Sequence, residues 1–124
     1  MDPKLFDLFA PSPDSLDLYL SLEEKLQEAV PGVEFRVQKT QVSFYLGRMF
    51  GCASLLPVVP KARRPQPYLT VTFGLREPLD HPRIFGRVEP RPGRWTHHVV
   101  VGTPQELDGE LLGWLRAAAE EVKP

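Results

Sequence analysis

The sequence predicts an α+β domain: an antiparallel sheet of about five strands, with an N-terminal and a C-terminal helix packed on one face. Apolar residues recur at helical spacing near both ends of the chain and alternate with period two between them. Acids gather in the two helical stretches and bases in the segment between. The 124 residues predict one domain spanning 1–124, in which 1–11 is a lead-in to the first helix.

In the first helical stretch Ser12 is placed to cap, followed by Pro13 and Asp14. Leu16, Tyr19, Leu22, Leu26 and Val30 then form a stripe that Pro31-Gly32 ends. Near the C-terminus Thr103-Pro104-Gln105-Glu106 reads as a capping box, with Leu107, Leu111, Trp114, Leu115, Ala118 and Val122 on one apolar face.

Between the helices "VEFRV" (33–37), "VSFYLG" (42–47) and "YLTVTFGL" (68–75) alternate. "MFGCASLLPV" (49–58) is more evenly apolar, as in a central strand, and "WTHHVVV" (95–101) is the last strand. A short strand is expected around 84–88. Alternation turns Val42, Phe44, Leu69, Val71, Phe73, Trp95 and Val99 toward the helices. It leaves Ser43, Tyr45, Tyr68, Thr70, Thr72, Thr96 and His98 on the open face. His97 falls on the interior side.

Residues 1–34 carry two cations and eight anions, 35–98 eleven cations and three anions, and 99–124 two cations and five anions. The +8 middle segment disappears in a net charge of −1. Most of its bases lie in two long Pro/Gly-rich connections, 57–67 and 76–93, and long irregular loops in compact domains are often functional. Lys39, Arg83, Arg87, Arg91, Arg94, Thr96 and His98 are therefore the expected anion-binding set, and Lys61, Arg63 and Arg64 add to the basic loops. Tyr45 and Tyr68 are expected to stack on the open face. The expected ligand is a nucleic acid or a phosphorylated small molecule, and solvated loop arginines are the competing account.

Other chemistries leave weaker traces. Cys52 is the single cysteine, so it forms no internal disulfide, and in an apolar strand it reads as a core residue. Adjacent histidines on a strand point to opposite faces, and there is no Cys-x-x-Cys or His-x-His spacing, so neither metal nor cofactor is expected. A small hydrolase using His97 and His98 ranks last. An interaction or metal-handling module working through the acidic helices is the main alternative, and its iron-carrier version would use Asp14, Asp17, Glu23, Glu24 and Glu28 on the first helix. A homodimer joined through the open face is a further expectation. No apolar run reaches membrane-spanning length, and the acidic, proline-broken N-terminus predicts a cytoplasmic protein without a targeting peptide. The absence of asparagine, a single isoleucine and ten arginines against five lysines fit a GC-rich bacterial genome.

"KTQVSF" (39–44), "LTVTFGL" (69–75), "HPRI" (81–84), "PGRWTHHV" (92–99) and "ELDGELLGWL" (106–115) resemble an uncharacterised bacterial family, a domain of unknown function allied to small YdhG-like α+β domains. The resemblance covers nearly the whole chain, and "PGRWTHHV" is its most specific piece. It implies the helix–sheet–helix fold and, from some YdhG-like relatives, frataxin-like iron handling through acidic surface.

Overall fold

The computed structural model describes residues 1–123. A short helix α1 (Lys4–Leu8) and the long helix α2 (Ser15–Ala29) lead into the sheet strands β1 (Glu34–Val37), β2 (Gln41–Leu46), β3 (Arg48–Ser54) and β4 (Leu69–Leu75). Then come β5 (Arg87–Arg91), β6 (Arg94–Val101) and α3 (Gly109–Val122). All pairings are antiparallel, and the strand order is β1-β2-β3-β4-β6-β5. The expected α+β architecture is present, with six strands. The sixth is β5, which the short strand expected around 84–88 overlaps at Arg87 and Val88; its Pro90 and charged residues are tolerated at a sheet edge.

One face of the sheet and the two long helices enclose the main core. Leu18, Leu22 and Leu26 of α2 and Leu111, Leu115 and Ala118 of α3 are fully or almost fully buried against Val42, Phe44, Val71, Phe73 and Val99. The helices are also tied by polar contacts: Lys25 Nζ donates to the carbonyls of Pro104 and Leu107, and Arg116 Nε donates to that of Ala29. The residues before α2 are part of this core rather than a loose lead-in. Leu5, Leu8 and Phe9 are buried, and the Phe9 ring lies 5.6 Å from that of Tyr19.

Local details differ from the sequence reading at both helix starts. Helix α2 begins at Ser15, and the Ser12 hydroxyl bonds the Ser15 hydroxyl instead of capping a backbone N–H. The Thr103–Glu106 box does form, but it closes a single 3-10 turn, Pro104–Glu106. Helix α3 is capped by Asp108, whose carboxylate accepts from the Leu111 N–H. A bulge in β3 sets Phe50 as an extra residue opposite the Phe44/Tyr45 step, and its ring enters the core 5.9 Å from Phe44. Beside it Gly51 is required by close approach, because a Cβ there would stand 2.6 Å from the Thr72 carbonyl oxygen.

The open face is only partly open. The β3–β4 connection folds over one end of it, forming a small second core of Val59, Tyr68 and Val100 with Leu55, Val58 and Phe85 around them. The Thr70 hydroxyl donates to the Leu56 carbonyl and Tyr68 Oη to that of Leu55, which holds the connection down.

Candidate functional site

Cross-strand register fixes what lies on the open face. Ser43 pairs with Cys52, Cys52 with Thr72 and Thr72 with His98, which makes one polar row across four strands. In the next row Tyr45 pairs with Met49, and Gly74 with Thr96. At the sheet end beyond these, Arg91 faces Arg94 across the β5–β6 hairpin.

This end of the sheet carries an open groove of about 1010 Å³. Arg48, Arg76, Arg91, Arg94 and Thr96 line it, with Glu121 and Lys123 at the α3 rim. Arg76 is held by Glu121, which accepts from its backbone N–H and, through its carbonyl, from the guanidinium. The side chains of Arg48, Arg91 and Arg94 make no ion pair or hydrogen bond among the described residues. Gly74 lines the groove without a side chain, and a Cβ there would lie 3.6 Å from Arg94 Nη2 and 3.9 Å from the Trp95 carbonyl oxygen. Arg48 and Arg76 are not in the expected anion-binding set: Arg48 lies at the start of β3 and Arg76 just after β4, and only the folding of the sheet brings them to Arg91 and Arg94.

The other expected residues are distributed differently. His98 is half-buried on the open face, its Nδ1 2.9 Å from the Thr72 hydroxyl. Lys39, in the β1–β2 turn, lines a second recess of about 530 Å³ together with Asp7, Thr72 and His98. Arg87 pairs with His97 and so lies on the helix side of the sheet. Tyr45 is half-covered by Arg36, whose guanidinium carbon is 3.7 Å from the ring centroid. Tyr68 is buried, with Arg64 over its ring at 4.9 Å, so it offers no face to a base.

Arg83 belongs to the architecture. Its guanidinium meets Asp108 at 2.9 Å and Glu110 at 3.0 Å, and it donates to the Glu106 carbonyl at 2.7 Å. His81 Nε2 lies 3.1 Å from the other Glu110 oxygen, and its ring is edge-on to Trp114. "HPRI" thus clamps the β4–β5 connection to the start of α3. The Arg83→Ala variant should lose about 1 kcal/mol of stability, because the partner carboxylates are near half exposed and solvent screens the pairs. Urea denaturation measures this, and an unchanged midpoint would show that the clamp adds nothing.

The paired histidines part company across the strand. His97 is fully buried and stacks on Phe73 with centroids 5.1 Å apart. Its Nε2 accepts the Leu79 N–H at 2.9 Å, which leaves the Nδ1 proton buried without a hydrogen-bond partner. Burial pushes the pKa of His97 below its usual value, against the raising influence of the nearby Phe73 carbonyl. His98 is lowered too, first by burial and then by His97. A lowered histidine favours the neutral ring in the fold, so its stability contribution is complete above about pH 6.5 and falls as pH drops toward the folded pKa. The melting temperature should therefore decline between about pH 7 and pH 5, more weakly in a His97→Gln variant. A flat profile across that window would contradict the buried neutral ring.

Cys52 is buried beside Thr72, and burial raises its thiol pKa above the ordinary value, the opposite of an activated nucleophile. On α2, Glu23 accepts from the Tyr19 hydroxyl at 2.6 Å. Among the described residues no three His, Cys, Asp or Glu side chains are arranged to hold a metal ion. No helix among them is long and apolar enough to cross a membrane.

Comparison with known proteins gives a family without a function. No curated protein and no solved structure matches the chain. The family described as "Domain of unknown function (DUF5655)" matches residues 7–120, and the chain belongs to that family.

Proposed function

We propose that the protein is a non-catalytic binding module for a phosphorylated small molecule, seated in the arginine groove at the end of the sheet. The observation that carries this reading is the convergence of Arg48, Arg91 and Arg94, none of them ion-paired among the described residues, on one recess beside Thr96. Guanidinium groups bind phosphate oxygens through paired N–H donors, and the unpaired state leaves those donors free. A volume of about 1010 Å³ is at the upper end for small-molecule sites.

The small molecule is favoured over nucleic acid by the tyrosines. Single-stranded nucleic acid needs exposed aromatic platforms, and here Tyr68 is buried and one face of the half-buried Tyr45 ring is taken by Arg36.

Calorimetric titration with inorganic phosphate, beside fluorescence anisotropy with short labelled oligonucleotides at low and physiological salt, tests the proposal. Saturable phosphate binding is expected, with oligonucleotide binding lost at physiological salt. Absence of phosphate binding would overturn the reading. Oligonucleotide binding that survives physiological salt would transfer the groove to nucleic acid.

A further inference from the structure

At the groove end of the sheet the arginines stand in a row across neighbouring strands. Arg91 of β5 pairs with Arg94 of β6. Leu75 pairs with Trp95, so Arg76, the next residue after β4, comes level with Arg94. On the other side of β4, Gly51 pairs with Phe73; Arg48 precedes Gly51 by three residues, and Arg76 follows Phe73 by three. Arg48 therefore opens β3 close to the level of Arg76. The sheet order β3-β4-β6-β5 makes the order in space Arg48, Arg76, Arg94, Arg91, and all four line the one groove.

This row is longer than one phosphate requires. Its ends are three strand spacings apart, or about 14 Å at the backbone, whereas a phosphate group is about as wide as one spacing. Two neighbouring guanidinium groups bracket a phosphate, so the row divides into the pair Arg94 and Arg91 and the pair Arg48 and Arg76. Arg76 is tethered at the groove, since its Nη2 donates to the Glu121 carbonyl at 3.3 Å and its backbone N–H to the Glu121 carboxylate at 2.9 Å. Its guanidinium has no ion-pair partner among the described residues.

Charge gives the same count. Among the described residues that line the groove, Glu121 is the one carboxylate, and Lys123 on the same rim offsets it. The four guanidinium charges then await a ligand. One phosphoryl group brings about −1.5 to −2 at neutral pH and two bring about −3 to −4, so a single phosphate would leave one arginine pair unmatched.

We infer that the ligand carries two phosphoryl groups, one held by Arg91 and Arg94 and the other by Arg48 and Arg76. This inference rests on the phosphate reading above and adds a second anionic position to it. The Arg48 and Arg76 pair is what separates a doubly phosphorylated ligand from phosphate itself.

Calorimetric titration of the full chain in magnesium-free buffer tests it with two probes set against inorganic phosphate. The phosphoryl groups are joined in pyrophosphate and separated in fructose 1,6-bisphosphate. At least one probe should bind about 10 times more tightly than phosphate or better, the yield of a second charge-assisted contact. Arg48→Ala should bring that ratio to about 2 or less and hardly change phosphate binding, because phosphate keeps its own arginine pair. Arg48→Lys should recover only part of the ratio, since the ammonium lacks the planar fork. Arg63→Ala, outside the groove, should leave the ratio in place. Arg48 is exposed and makes no side-chain contact to lose among the described residues, and melting curves verify that each variant is folded. Ratios near 1 for both probes, or a ratio that Arg48→Ala does not lower, would overturn the inference while the phosphate groove stands. Equal falls in Arg48→Ala and Arg63→Ala would overturn it as well, because diffuse positive charge would then account for the gain. Failure of all three ligands to bind would instead remove the groove, and this inference with it.

Discussion

Replacing Arg91 and Arg94 together with alanine should weaken inorganic phosphate binding about 100-fold, equivalent to about 2.7 kcal/mol. Each guanidinium offers charge-assisted hydrogen bonds to a phosphate oxygen, and such bonds contribute about 1.5–3 kcal/mol each when geometry is good. The open groove screens them, which places the expected loss for the pair near the bottom of the summed range. Stability should hardly change, since among the described residues neither side chain has an ion-pair or hydrogen-bond partner to lose. The double lysine variant should recover only part of the affinity, because an ammonium keeps the charge and loses the planar fork. Arg63→Ala is the control: that side chain is exposed in the 3-10 turn Lys61–Arg63, away from the groove. Equal losses in Arg63→Ala and in the double variant would mean that diffuse positive charge, and not this groove, holds the anion.

The largest stability effect is expected at Phe73. Its ring is fully buried at the middle of the sheet, stacked between His97 at 5.1 Å and Trp114 at 5.9 Å. It therefore joins β4 to β6 and to α3. Phe73→Ala removes that apolar area and leaves a cavity that the neighbours fill poorly, because Gly51 opposite has no side chain to move in. A loss of about 3–5 kcal/mol follows from comparable core truncations. Chemical denaturation gives the number directly. The same variant should also soften the acid sensitivity between pH 7 and pH 5, since water admitted to the cavity solvates His97 and relaxes its lowered pKa. A loss below about 1.5 kcal/mol would mean that α3 settles onto the sheet and closes the space.

Part of this molecule is legible from its residues alone. Strict alternation in 69–75 and 95–101 set apart the faces of β4 and β6, so Val71, Phe73 and Val99 were placed in the core and Thr72, Thr96 and His98 opposite them. A strand with one buried face leaves no freedom of register, because a slip of one residue would bury every polar side chain. The interior position of His97 followed from the same rule. Helical periodicity likewise found α2 and α3, though not their first residues. Caps depend on one or two hydrogen bonds: Asp108 caps α3 while the Thr103 box closes the 3-10 turn before it, and α2 starts after Asp14 without a side-chain cap.

The expected anion set divided along another line. Arg83, Arg87, Arg91 and Arg94 look alike in a basic loop, yet they do different things. Arg83 found carboxylates on α3, Arg87 fell on the helix side by register, and Arg91 and Arg94 reached the groove. Tyr68 was lost to the surface when the β3–β4 connection folded over it. Arg48 and Arg76 joined from strand ends distant in sequence. The sequence by itself determined the fold class, the two faces of the sheet and the surplus of positive charge, because periodicity and charge are properties of neighbouring residues. Only the tertiary structure decided which cations are spent on structural ion pairs and which remain free. That outcome depends on which carboxylates the folded chain brings within about 4 Å of each guanidinium, and no local pattern encodes a distance between segments.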